Sequence, residues 1–192
     1  MSGLLSIFVS MALINNLILV QFLGLCPFFG VSRKMSVAAS MGLAVSAVMF
    51  IASVAAWLIN NYILMPLNIE YMNIIAYVLV IATLVQLLDI FIKRTNQKLY
   101  NSFGIYLALL VTNCAVMGIV LINEQEAYTF LESLAAALGA GAGFTLVLVI
   151  MSGIRERLVT SDVPKSMQGL PVAFLTAALL VLAFYGFTGI LR

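Results

Sequence analysis

Two cysteines are the side chains here best suited to chemistry. Cys26 lies in Leu23-Gly24-Leu25-Cys26-Pro27-Phe28 and Cys114 in Val111-Thr112-Asn113-Cys114-Ala115, each inside an otherwise apolar run. The chain has no histidine, which removes the usual haem ligand, the commonest metal ligand and the natural proton relay near neutral pH. Any metal must then be held by sulfur or oxygen. A complete thiolate site takes four sulfurs, so a cluster built on Cys26 and Cys114 has to be shared with another chain. An isolated cysteine in an apolar helix usually just fills space. Two features favour ligands instead: each cysteine has helix-disturbing or amide-bearing neighbours, and each falls in the first span of its half of the chain. A disulfide is the weaker reading, because a tightly packed helical scaffold needs no such staple.

The elements that must carry these thiols follow from composition. Of 192 residues, 64% are hydrophobic and only 8% charged, and the mean hydropathy is +1.18. That leaves too little polar surface to cover a water-soluble globule. The alternating pattern of a membrane barrel is absent, so the expected fold is an all-α integral membrane protein. A net charge of +2 without a basic run excludes a nucleic-acid footprint.

Six spans are expected, at about 4–29, 36–58, 72–92, 100–122, 128–151 and 170–190, forming a single membrane domain over 1–192. The first has no charged leader and no small-residue cleavage site, so it reads as a retained span. It contains Asn15, Asn16 and Gln21, with Pro27 after Cys26, a pattern that favours a broken helix lined by protein. Depth demands the same. Cys114 lies about 14 residues, roughly 21 Å, into its span, and Cys26 shares that depth only if the first span breaks. Gly139-Ala140-Gly141-Ala142-Gly143 reads as a close-packing face. The mixed-charge stretch from 154 to 167 reads as a loop, with Arg155-Glu156-Arg157 as an interfacial charge cluster or a docking site. No loop is long enough for a nucleotide or flavin domain, since one βαβ unit already takes about 30 residues.

Loops after spans one, three and five hold Arg33, Lys34, Lys93, Arg94, Lys98, Arg155, Arg157 and Lys165, whereas the other side holds Arg192. The positive-inside rule makes the former cytoplasmic and both termini outward (N-out/C-out). Three spans in each half, about 1–97 and 98–192, imply two inverted three-helix repeats, the first helix of each discontinuous. Ser36-Val37-Ala38-Ala39 with Gly42 matches Ser133-Leu134-Ala135-Ala136 with Gly139, and the same offset places Asn16 on Asn113. Among other polar residues, Asp89 precedes Lys93 by four, which favours an ion pair over an ion-path carboxylate. Asn15, Asn16 and Asp89 are nevertheless the candidates for an ion path.

Asn15-Asn16, Val20-Gln21-Phe22-Leu23-Gly24-Leu25-Cys26-Pro27-Phe28 and Gly30-Val31-Ser32-Arg33-Lys34 together closely resemble the start of a small membrane subunit of the Rnf electron-transport complexes. Thr112-Asn113-Cys114-Ala115-Val116, Gly153-Ile154-Arg155-Glu156-Arg157-Leu158 and Asp162-Val163-Pro164 resemble its later motifs, so the likeness runs essentially the full length. The chain also resembles the paralogous NqrE of the sodium-pumping NADH:quinone reductase, but Gly24-Leu25-Cys26-Pro27 looks more like the Rnf form.

The resemblance implies a membrane component of a bacterial cytoplasmic-membrane translocase that couples electron transfer between reduced ferredoxin and NAD to movement of Na⁺ or H⁺. It implies a pseudosymmetric partner, RnfE, in opposite orientation, with Rnf subunits B, C, D and G alongside. It further implies a [2Fe–2S] cluster held by Cys26, Cys114 and two cysteines of RnfE, with Gly24 and Asn113 around it and flavins and NAD on other subunits. A secondary transporter with a midplane site between inverted repeats is the alternative, and a scaffold with inert cysteines the third reading.

Overall fold

The computed structural model describes residues 2–32, 35–64, 73–95, 113–159, 164 and 168–188. Among the described residues all regular structure is helical. Helix α1 (Ser2–Val9) widens into a π turn (Ser10–Ile14) and stops; α2 (Leu25–Val31) restarts the chain after an irregular passage. Helix α3 (Met35–Ile59) also ends in a π turn (Asn60–Leu64), and α4 (Asn73–Thr95), α5 (Cys114–Gln125), α6 (Phe130–Val159) and α7 (Leu170–Thr188) follow. The segment 35–62 and helix α6, of 28 and 30 residues, are both long and apolar enough to cross a membrane. At about 1.5 Å per residue, each exceeds a hydrocarbon core of about 30 Å.

Helices α3 and α6 form the central pair, and small residues let them approach. A Cβ added to Gly42 would stand 2.7 Å from Thr145 Cγ2, and one added to Gly141 would stand 2.8 Å from Ser46 Oγ. The arrangement is reciprocal: each hydroxyl sits four residues after its own helix's glycine and lies over the other helix's glycine. Ser46 donates to the Gly42 carbonyl at 2.8 Å, Thr145 to the Gly141 carbonyl at 2.9 Å, and the two hydroxyls meet at 3.1 Å. Gly139 and Gly143 face α1 and its π turn, where an added Cβ would lie 2.5 Å from the Phe8 and Ala12 carbonyl oxygens, respectively. The glycine-rich run is therefore a two-sided packing face, one side per neighbouring helix. Met41, Val45, Met49, Phe144, Leu148 and Met151 fill the core between.

The far end of α5 carries a polar cluster. Asn123 Nδ2 donates to Ser53 Oγ and, at 2.8 Å, to Ser133 Oγ, tying α5 to α3 and α6. At the start of α6, Glu132 Oε2 accepts from the Thr129 backbone at 3.0 Å and from its hydroxyl at 2.8 Å, the carboxylate half of a capping box. Leu170, Phe174, Leu175, Leu179 and Leu182 on α7, with Ile74, Ile75, Val78 and Leu79 on α4, stay exposed. Such broad apolar faces suit lipid or partner chains, not water.

Two expectations need correction. Pro27 does not break a helix: it stands in the first turn of α2, where its missing N–H would have had no intrahelical partner anyway. The interruption lies earlier, at 15–24. The stretch from Ile154 is not all loop, because α6 continues to Val159. Its charges are accommodated because Arg155 and Glu156 find partners at the ends of α2 and α3. The expected start of the fourth span, at 100–112, lies outside the described residues.

Candidate metal centre

The passage between α1 and α2 is irregular yet internally bonded. Asn15 N–H reaches back to the Ser10 carbonyl at 2.7 Å and closes the π turn. Asn16 is 1% exposed, and both ends of its amide serve the main chain: Nδ2 donates to the Ala12 carbonyl at 3.0 Å and Oδ1 accepts from Ile18 N–H at 3.1 Å. Val20 N–H then bonds the Asn16 carbonyl at 2.9 Å and Leu23 N–H the Leu17 carbonyl at 2.9 Å. Leu17, Ile18 and Leu19 anchor the loop in the core while Val20 and Phe22 project outward.

Two left-handed residues turn the chain into α2: Phe22 at φ 57° and Gly24 at φ 83°. Gly24 has a second reason to be glycine. A Cβ there would lie 2.8 Å from Phe144 Cε2, 3.1 Å from Ala115 Cβ and 3.3 Å from Asn113 Oδ1. Its neighbour Leu23 packs its Cδ1 against Gly118, 2.6 Å from where a Cβ would be. The segment leading to Cys26 thus lies directly on the segment carrying Cys114, although the two are distant in sequence.

Both cysteines occupy the opening turn of a helix. Cys26 is the second residue of α2, behind Gly24. Cys114 is the first residue of α5, behind the N-cap Asn113, whose Oδ1 accepts from Ala115 N–H at 3.1 Å. Helix starts leave backbone N–H groups without intrahelical partners, and at the start of α5 Asn113 takes up two of them, those of Ala115 and Val116. Both cysteines are exposed and neither is in a disulfide. Asn113 is 4% exposed, and its Nδ2 is buried with no hydrogen-bond partner. A buried donor left over beside Cys114 fits a group that presents acceptor atoms such as sulfide or thiolate.

Among the described residues no three His, Cys, Asp or Glu side chains come together. Two thiols are what this chain offers, half the donors of a four-sulfur site. Of the candidate ion-path residues, Asn15 is exposed and Asn16 is committed to the main chain. Asp89 lies on α4 with its side chain outside the described residues. Sequence reasoning missed the N-cap role of Asn113, which an Asn directly before an apolar run signals. Arg155, read there as part of an interfacial charge cluster or docking site, has partners within the chain that include the main chain at Phe29 and the Ser32 hydroxyl.

The profile of a family described as "Rnf-Nqr subunit, membrane protein" matches residues 4–191. The chain is 47% identical to the A subunit of the ion-translocating oxidoreductase complex of Sodalis glossinidius (strain morsitans) over 192 residues, covering 100% of both chains. It is 47% identical to the protein of the same name in Serratia proteamaculans (strain 568) and 46% identical to that in Yersinia enterocolitica (strain NCTC 13174 / 8081), again over 100% of each chain. With its full length matched and its thiol-bearing segments packed together, this chain belongs to the Rnf-Nqr family of membrane subunits.

Proposed function

We propose that this chain works as the RnfA component of an Rnf-type ion-translocating oxidoreductase and supplies half the ligands of an intramembrane [2Fe–2S] cluster. Cys26 and Cys114 are the ligands, and the homologous RnfE contributes two more from the opposite orientation. Subunits B, C, D and G carry the flavin and nicotinamide chemistry, and Na⁺ or H⁺ crosses the bacterial inner membrane. The observation that carries this reading is the pair of exposed thiols at two helix starts whose neighbouring residues, Gly24 and Ala115, are in contact.

A [2Fe–2S] cluster, when bound, accepts and passes on one electron at a time. This chain's residues prepare the place for it. Gly24 brings the α2 start against α5, and Asn113 fixes the first turn of α5 while presenting a leftover amide donor. Buried Leu17, Phe28, Phe144 and Ile119 close the protein side against water. An added electron in a low-dielectric setting must be compensated by nearby charge, which offers a route to cation coupling. The same local bond at Asn16 and Asn113 supports the inverted-repeat reading; six spans with both termini outward rest on the apolar runs and on the distribution of Lys and Arg.

The test uses the whole complex in liposomes, driven by reduced ferredoxin with NAD as acceptor. Cys26→Ser and Cys114→Ser are each expected to abolish NAD reduction and coupled cation movement together. Parental activity in both variants would show that electrons bypass this chain.

A further inference from the structure

Helix α2 has seven residues, too few to hold a helix by hydrogen bonding alone. Its place must be imposed by its surroundings. On its flank, Phe28 and Val31 are buried and the Phe29 ring packs on Phe174 with centroids 4.4 Å apart. At its far end stands Arg155 of α6. Nη1 donates to the Phe29 carbonyl at 2.9 Å and to Ser32 Oγ at 2.7 Å. Phe29 is in the last turn, where carbonyls lack intrahelical donors and a cation is favoured by the helix dipole.

The next residue does the complementary thing. Glu156 Oε1 accepts from Met35 N–H, the first residue of α3, at 3.2 Å. An anion thus meets a helix start while its neighbouring cation meets a helix end. Successive residues on a helix point in different directions, which lets Arg155 and Glu156 grip the two sides of the α2–α3 junction at once. The two charges form an internal clamp.

We propose that Arg155 is a positioning residue for Cys26: by holding the last turn of α2 it fixes where that thiol stands, and so tunes the cluster. The proposal rests on Cys26 being a cluster ligand. Phe29 follows Cys26 by three residues, a rise of about 4.5 Å, so rocking the α2 end moves the thiol less than one turn away. Cys114 is held separately, through the Asn113 cap.

Two measurements test this in membranes carrying the full set of subunits. The first is the alkylation rate of Cys26 by a membrane-permeant maleimide in a Cys114→Ser background, which needs no cluster. Arg155→Gln is expected to change that rate several-fold, and Arg155→Lys, which keeps the cation, to restore most of the parental value. The second is the electron paramagnetic resonance spectrum and midpoint potential of the reduced cluster with both cysteines present; Arg155→Gln is expected to shift both and Arg155→Lys to shift them less. A parental alkylation rate in Arg155→Gln overturns the proposal. A parental spectrum in Cys26→Ser overturns instead the ligand reading beneath it, and the two failures are distinct because alkylation does not depend on the cluster.

Discussion

Asn16 and Asn113 make the same bond: the side-chain oxygen of each accepts the backbone N–H two residues on, from Ile18 and from Ala115, both at 3.1 Å. Such local side-chain bonds offer the chain an alternative to helix and stabilise a turn or a helix start. They differ at the other end of the amide. Asn16 Nδ2 bonds the Ala12 carbonyl, whereas Asn113 Nδ2 is buried without a partner. One asparagine is wholly structural, and the other has a donor to spare beside Cys114.

That difference makes Asn113→Asp informative. The carboxylate keeps the cap on Ala115 but removes the amide donor. Donors to cluster sulfurs raise the potential and a new negative charge lowers it, so Asn113→Asp is expected to lower the midpoint potential, at a cost in stability because position 113 is buried. Asn113→Ala removes both functions, and loss of the cap should cost about 1 kcal/mol of stability. A redox titration of the purified complex, with thermal denaturation in parallel, separates the two; an unchanged potential in Asn113→Asp would remove the donor role.

Gly24→Ala should damage the site without touching a thiol. Its φ of 83° costs an L-residue about 1–2 kcal/mol, and the new Cβ would press on Phe144 at 2.8 Å and Ala115 at 3.1 Å. The expected outcome is a complex that assembles poorly or carries less iron than the parent. Parental iron content, measured per mole of complex, would mean the α2–α5 contact is not needed for loading.

Two glycines of the same helix should behave oppositely. Gly143→Ala places a Cβ 2.5 Å from the Ala12 carbonyl oxygen and 2.9 Å from Asn16 Nδ2. Main chain cannot swing aside as a side-chain tip can, so the π turn after α1 must shift, at a cost of about 1–3 kcal/mol. Gly153→Ala meets only Met35 Cε, at 3.8 Å, and gains up to about 1 kcal/mol of helix propensity. Thermal denaturation in detergent should rank Gly153→Ala at or above the parent and Gly143→Ala clearly below it.

The extent of α3, α4 and α7 was legible in sequence because long apolar runs end at polar or glycine-bearing stretches, and period plays little part when most faces are apolar. The break in the first span was legible from Asn15, Asn16 and Gln21, which lie in it, but Pro27 does not belong with them, since a proline's effect depends on whether it falls in the first turn or the interior. The α6 end was missed because charged residues signal a loop only when nothing meets them, and Arg155 and Glu156 meet helix termini far away in sequence. The two thiols were singled out by residue type. The approach of the segments that carry them was not readable, because it depends on a left-handed Gly24 lying against Asn113 and Ala115.

The proposed function stands or falls with Cys26 and Cys114 as cluster ligands. Electron paramagnetic resonance of the dithionite-reduced complex, comparing the parent with Cys26→Ser and Cys114→Ser at equal subunit content, tests it most directly. Each variant is expected to lose or strongly alter one [2Fe–2S] signal that the parent shows. Spectra matching the parent in both variants would contradict it.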